Sequence, residues 1–210
     1  MKGNDLTHTI SEDMTVFPGS ETQKLTTKST YEKDGFKETL LQMYSHVGTH
    51  MDPPAHIFTN QKDFRSIFPR TIHRQTLVVD CRDLKEGQAI TIDKIDIDKA
   101  KLADFLLFNL GWDKRWNLDT YFNDYPCIDN TVLEFILNSN FKGIGFDVMG
   151  LEDPLCDENL TRHKALFKDT DIVNIENLTH LEQCGDELFW FSCFQLKIEN
   201  CDGIPIRAIA

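Results

Sequence analysis

The chain has 210 residues with 22 basic and 34 acidic side chains, and its net charge of −12 repels phosphate backbones and argues against a nucleic-acid partner. At 40% hydrophobic and 27% charged it has the composition of a soluble globule. No apolar run approaches the ~20 residues that would span a membrane. No Ser/Gly/Pro-rich linker, repeat or low-complexity tract divides the chain, so residues 1–210 are expected to form a single domain.

The opening MKGNDLTHTISEDM is polar, carries Glu12 and Asp13, and lacks the apolar stretch of a signal peptide. The six cysteines (81, 127, 156, 184, 193 and 201) form no Cys-x-x-Cys pair and are expected to be reduced thiols in a cytoplasmic protein. Neither a Walker-type loop nor a Gly-x-Gly-x-x-Gly fingerprint is present.

In chain order, residues 76–80 (TLVVD) are β-branched and apolar and predict a buried strand. Residues 95–102 suit a short helix. Residues 105–110 (FLLFNL) predict a second buried strand, stopped at Gly111. Asp129 or Asn130 is placed to cap a helix running to Asn138, with Val132, Leu133, Phe135 and Ile136 at helical spacing. Residues 143–148 (GIGFDV) predict a central strand, 160–167 a short helix, and 172–175 a strand ending at Glu176. Residues 188–198 (LFWFSCFQLKI) predict a long aromatic strand, and 203–207 a turn into the last one. Strands alternating with helices in the middle of the chain, with few helices at either end, predict an α/β fold with a mixed sheet.

The densest chemistry lies in SHVGTHMDPPAH, where His46, His50, Asp52 and His56 fall within eleven positions and account for three of the seven histidines. Imidazole and carboxylate are ligands for Zn²⁺ and similar ions. Pro53 pushes Asp52 out of helical geometry, and Pro54 does the same to Pro53. His50 and Asp52 are therefore expected on extended backbone, where residues i and i+2 point the same way. Gly48 can supply a conformation closed to other residues, and the prolines stiffen the chain towards His56. Three ligands with an open position describe a catalytic rather than a structural site. There a bound ion lowers the pKa of its water towards ~7, and His56 is placed to act as general base or acid. Alternatively, the histidines are surface or core fillers, a reading that the density around Gly and Pro weakens.

The same segment resembles the His-x-Gly-Thr-His-x-Asp-x-Pro-x-His signature of the metal-dependent cyclase/hydrolase family that includes bacterial kynurenine formamidase. Five further segments resemble that family in order along the chain: TVFPGS (15–20), LGWDKRW (110–116), GIGFD (143–147), HKALFKDTDIVNIENLTHL (163–181) and DGIPIRAIA (202–210). The resemblance implies a swivelling β/β/α-type fold, commonly a homodimer or a higher homo-oligomer, with one or two Zn²⁺ ions per subunit or Mn²⁺ instead. It implies that His46 and His50 bind a first metal, that Asp52 bridges two, that His163 binds the second, and that Glu176 bridges or binds from the other side. It makes His56 the proton donor/acceptor and places Phe17 where the family carries an aromatic against the substrate. Read alone, His163 suits a helix surface and Glu176 suits either a ligand or a solvated strand end. The run DVMGLEDP (147–154) departs from the family's Ser-x-Asp-Pro stretch and makes the substrate the least constrained part of the reading. His8, His73 and His180 match no ligand position, and Trp112 and Trp116 read as packing or oligomer contacts.

The expected function is hydrolysis of a small-molecule amide: attack by metal-bound hydroxide, with His56 passing a proton to the leaving nitrogen. N-formyl-L-kynurenine, giving L-kynurenine and formate, is the substrate the resemblance implies. Two alternatives compete with it: ring opening of an isatin-like lactam, another cyclic amide or a lactone, and a metal-binding sensor or scaffold without catalysis.

Overall fold

This computed structural model describes residues 3–67, 73–152 and 159–210. Its strands are β1 (Lys24–Ser29), β2 (Glu38–Gln42), β3 (His50–Asp52), β4 (His73–Asp80), β5 (Ala89–Ile90), β6 (Phe105–Asn109), β7 (Cys127–Ile128), β8 (Gly143–Phe146), β9 (Val173–Glu176), β10 (Phe189–Gln195) and β11 (Ile204–Ile209). Its helices are α1 (Tyr31–Asp34), α2 (Phe64–Ile67), α3 (Ile97–Ala100), α4 (Asn130–Leu137) and α5 (Thr161–Phe167). Seven strands close into a barrel in the order β10-β11-β3-β9-β8-β6-β4. The run β4-β6-β8-β9 is parallel, and the other four contacts are antiparallel. The expectation of an α/β fold with a mixed sheet therefore holds, and closure removes the exposed edges an open sheet would carry.

Side chains alternate across each strand and so build two cores. Met51, Phe105, Leu107, Val173, Ile175, Phe191, Cys193, Ile206 and Ala208 pack together inside the barrel. Their sequence neighbours Leu106, Phe108, Ile144 and Phe146 form the outer layer with Val132, Leu133 and Ile136 of α4 and Leu166 and Phe167 of α5. On β8 the inward positions are Gly143 and Gly145. A Cβ on Gly143 would lie 2.1 Å from the Phe105 ring, so glycine there lets the opposite phenyl fill the barrel.

The predicted elements appear with shifted ends. The strand expected over 76–80 begins earlier, at His73, because β10 pairs with its first residues. The helix expected over 95–102 shrinks to a single turn, capped by Asp96, whose carboxylate accepts the Lys99 N–H at 3.1 Å. Asp129 rather than Asn130 caps α4, accepting the Val132 N–H at 2.9 Å. The aromatic strand expected over 188–198 stops at Gln195, where its ladder with Ile206 runs out. The β1–β2 hairpin was not foreseen: β2 is exposed at every position, so no alternation marks it.

Candidate metal centre

Strand register assembles the site. His50 pairs with Glu176, Met51 with Ile175 and Asp52 with Asn174 across β3 and β9. Met51 and Ile175 enter the barrel core, so His50, Asp52, Asn174 and Glu176 share the opposite face. Gly48, at φ +58°, turns the chain into β3, and its carbonyl accepts from His50 Nδ1 at 2.9 Å. A carbonyl can only accept, so His50 carries a proton on Nδ1, and Nε2, which faces Glu176, is the nitrogen that would be left to bind a cation once its own proton is lost. The Pro54–His56 turn then brings His56 back over the strand, its ring centroid 4.1 Å from that of His46.

The carboxylates link the histidines. Glu176 Oε2 lies 3.3 Å from His50 Nε2, and Glu176 Oε1 lies 3.2 Å from His163 Nε2. Asn174 Nδ2 donates to Glu176 Oε1 at 2.7 Å and holds the carboxylate in place. His46 Nδ1 lies 2.8 Å from Asp52 Oδ1, and His46 Nε2 lies 3.3 Å from Asp202 Oδ2. A Cβ on Gly203 would fall 2.3 Å from the His46 ring, so this glycine lets the imidazole lie against the backbone.

Charge is concentrated and buried here. Burial alone would lower the His50 pKa, but Asp52 and Glu176 outweigh it and push the pKa up to about 9. Burial likewise opposes His163, and the carboxylates of Glu152 and Glu176 push it up to about 10. Burial works against the Asp52 carboxylate, yet His50 and His46 hold it below the usual carboxylate range. His56 differs: burial, aided by His46, holds its pKa below the ordinary imidazole value.

The donor set fits a divalent cation. Asp52 Oδ1 is buried without a hydrogen bond despite the nearby His46 ring, and His56 Nδ1 is buried without one too. Ligand atoms of His46, Asp52 and His56, and separately of His50, Asp52 and Glu176, lie within 4.8 Å of one another. Asp52 is common to both groups, the arrangement expected of a carboxylate between two ions. The expected residues 46, 50, 52, 56, 163 and 176 thus meet at one place, and His56 groups with His46 and Asp52 at ligand spacing.

They line a cavity of about 710 Å³ whose wall also includes Phe17, Tyr44, Tyr125, Met149 and Leu160. Phe17 stands at the mouth, 51% exposed. Met149, Gly150 and Glu152 bring the departing 147–154 loop to the cavity, while Asp153, Pro154 and Cys156 lie outside the described residues.

Three residues without an assigned role prove to belong to the site. Glu152 faces His163, Asp202 faces His46, and Asn177 donates to the Gly48 carbonyl at 2.9 Å while accepting from Tyr121 Oη at 2.6 Å. Asp202 in DGIP and Asn177 in ENL both stood inside segments of the family resemblance, which was the available signal. The remaining histidines lie elsewhere: His8 stacks on Trp116, His73 on Trp190, and His180 Nδ1 contacts the Asp5 carbonyl. Trp112 is buried and donates to the Tyr121 carbonyl at 3.0 Å, in keeping with packing. Burial pushes the Cys81 thiol up to about 12, unsuited to nucleophilic chemistry.

The family model described as "Putative cyclase" matches residues 4–153. An uncharacterised protein of Methanocaldococcus jannaschii is 30% identical over 211 residues, an alignment covering 98% of this chain and 97% of that one. A kynurenine formamidase of Bacillus thuringiensis subsp. konkukian is 26% identical over 212 residues, with 98% and 95% covered. Among solved structures, an isatin hydrolase bound to the product analogue thioisatinate matches with a TM-score of 0.85 at 20% identity, over 99% of this chain and 91% of that one.

Proposed function

Since this chain belongs to the cyclase family, we propose that it is a metal-dependent hydrolase acting on the C–N bond of a small amide. The observation that carries this reading is Asp52, a buried carboxylate facing His46 and His50 and shared by two groups of ligand atoms in a cavity large enough for a substrate. His46, His50, Asp52, His163 and Glu176 would hold the metal: one or two Zn²⁺ ions, with Mn²⁺ the alternative that such donors also accept. When bound, the metal supplies Lewis acidity and a water that ionises near neutral pH.

The chain's own residues supply the rest. His56, its pKa lowered, is neutral at pH 7, and its unbonded Nδ1 is free to take a proton from the attacking water. The same ring then returns the proton to the leaving nitrogen. Asn174 steadies Glu176, and the Gly48 carbonyl fixes the His50 tautomer. Phe17 offers an aromatic face at the cavity mouth to a substrate ring.

For the substrate we favour N-formyl-L-kynurenine, cleaved to L-kynurenine and formate, on the strength of formamidase relatives that align along nearly the whole chain. Ring opening of an isatin-like lactam is the second reading, supported by the fold likeness to isatin hydrolase and by the loop bearing Gly150 and Glu152. Formate release and isatin ring opening should be assayed as purified, after chelation, and after adding Zn²⁺ or Mn²⁺. Metal-restored hydrolysis of either substrate is the expected result, and the faster one identifies the class. Tight metal binding with no hydrolysis of any amide would sink the enzymatic reading in favour of a sensor or scaffold.

We further propose a homodimer. The β1–β2 arm leaves Tyr31, Phe36, Leu40, Leu41 and Tyr44 exposed, and a lone hairpin is marginal unless covered. Sedimentation as a monomer at micromolar concentration would set this aside. No described helix is long and apolar enough to cross a membrane. Among the described residues, the thiols at 81, 184 and 201 are free, which supports a reducing, cytoplasmic setting.

A further inference from the structure

We propose that Glu152 is the positioning residue of the site: it fixes the tautomer and orientation of His163 and thereby sets the cation affinity. The proposal rests on reading the cavity as a metal centre. Glu152 follows β8 in the loop that departs from the family pattern, and it is only 3% exposed. Burying a carboxylate is costly unless its oxygens are engaged, and here both are turned towards one residue. Oε1 accepts the backbone N–H of His163 at 2.7 Å, and Oε2 contacts the Nδ1 of the same residue.

The backbone contact has a local cause. His163 sits in the first turn of α5, where N–H groups lack helical partners. The residue at the N-cap is Leu160, which has no side-chain acceptor. Glu152, from a separate segment, takes that role and so ties the 147–152 loop to the start of the helix.

The side-chain contact has a chemical consequence. An ionised carboxylate only accepts, so Nδ1 of His163 carries the proton. Nε2, 3.2 Å from Glu176 Oε1, is then the nitrogen whose proton a cation would displace, leaving its lone pair for the metal. His50 is set the same way by the Gly48 carbonyl, but a carboxylate is the stronger acceptor and makes the imidazole a better donor to a cation. Glu152 is thus not a further ligand, because both oxygens already serve His163. Nor is it only a cap, because a cap would need no second oxygen on the ring.

Glu152→Gln separates these roles at constant volume. The amide has one acceptor oxygen and one NH₂ group. If the oxygen keeps the backbone N–H, the NH₂ faces Nδ1, and the proton must move to Nε2, where it blocks the cation. Metal-free wild type and E152Q would be titrated with Zn²⁺ against a competing chromophoric chelator. We expect the E152Q dissociation constant to rise by roughly 10–100-fold. In Zn²⁺-loaded wild type, ¹⁵N shifts of the His163 ring should show Nδ1 protonated. This second readout decides the matter even if E152Q fails to fold.

A wild-type dissociation constant in folded E152Q, or a proton on Nε2 in the loaded wild type, would overturn the role of Glu152 alone. Wild type that takes up no zinc and hydrolyses no amide would overturn the metal-centre reading, and this inference with it.

Discussion

Asp52 and Glu176 each face more than one imidazole, and the chemistry of the site depends on that sharing. Glu176 places one oxygen near His50 and the other near His163, while Asp52 stands between His46 and His50. His56 is the exception of these histidines: among the described residues no carboxylate comes closer to it than Asp202, at 4.0 Å. If it moves the proton, His56→Ala should lower kcat by about 10²–10⁴-fold at unchanged metal content, measured by steady-state kinetics with elemental analysis on the same sample. Loss of metal in that variant would make His56 a ligand instead, as its grouping with His46 and Asp52 permits. Most of these residues were legible because they crowd one short segment. Glu152 and Asp202 were not, because an acid looks the same in sequence whether paired or solvated, and Asp202 in addition reaches His46 across most of the chain.

At the scale of elements, period-two alternation decides what faces the site. Because Met51 and Ile175 enter the barrel, their neighbours must face the cavity, and a one-residue slip of β3 would bury the ligands in the core instead. Register is guarded from the other side by close packing at β8. Gly143→Ala would put a methyl within 2.1 Å of the Phe105 ring, with no flexible side-chain end to give way. We expect at least ~1–3 kcal/mol of destabilisation, read from chemical denaturation; an unchanged midpoint would mean the barrel interior tolerates more than its packing suggests. Burial strongly raises the pKa of Asp147, the last residue of the GFD run, to about 7, even though it accepts the Leu110 and Trp112 N–H groups at 2.8 and 3.0 Å. Two of the segments that resemble the family are thereby tied together by one side chain. The buried strands at 105–109 and 143–146 were legible from their apolar runs, whereas the β1–β2 hairpin, with both faces wet, carries no such signal.

Across the whole molecule the site is a store of buried charge, which a cation would neutralise under the proposed function. Without metal, His50 and His163 hold protons more tightly than in the unfolded chain, with values of about 9 and 10 against ~6.5 for a free imidazole. That contribution is complete below pH ~6.5 and is lost as the pH rises through the folded values. Asp52 and Glu176 are held below their ordinary range, so their contribution is present above pH ~4 and is lost in acid. The site should therefore contribute most to the stability of the metal-free protein between about pH 4.5 and 6.5, and the Tm should fall steadily from about pH 7 to 9.5 as His50 and His163 lose their protons. A bound cation replaces those protons, so the loaded protein should lose less over the same range. Thermal melts with and without Zn²⁺ check both statements, and a metal-free Tm that climbs towards pH 9 would contradict them.

What the sequence determined by itself is local. Proline after Asp52 forces extended backbone, apolar runs name the buried strands, and a dense His/Asp segment names the chemistry, because each follows from residues a few positions apart. What only the tertiary structure decided is non-local. Closure of seven strands into a barrel, the pairing of β3 with β9, and the arrival of Asp202 at His46 and Asn177 at Gly48 depend on which distant segments come to lie side by side. That choice is made by packing and backbone pairing summed over the whole chain, and no window of neighbouring residues contains it.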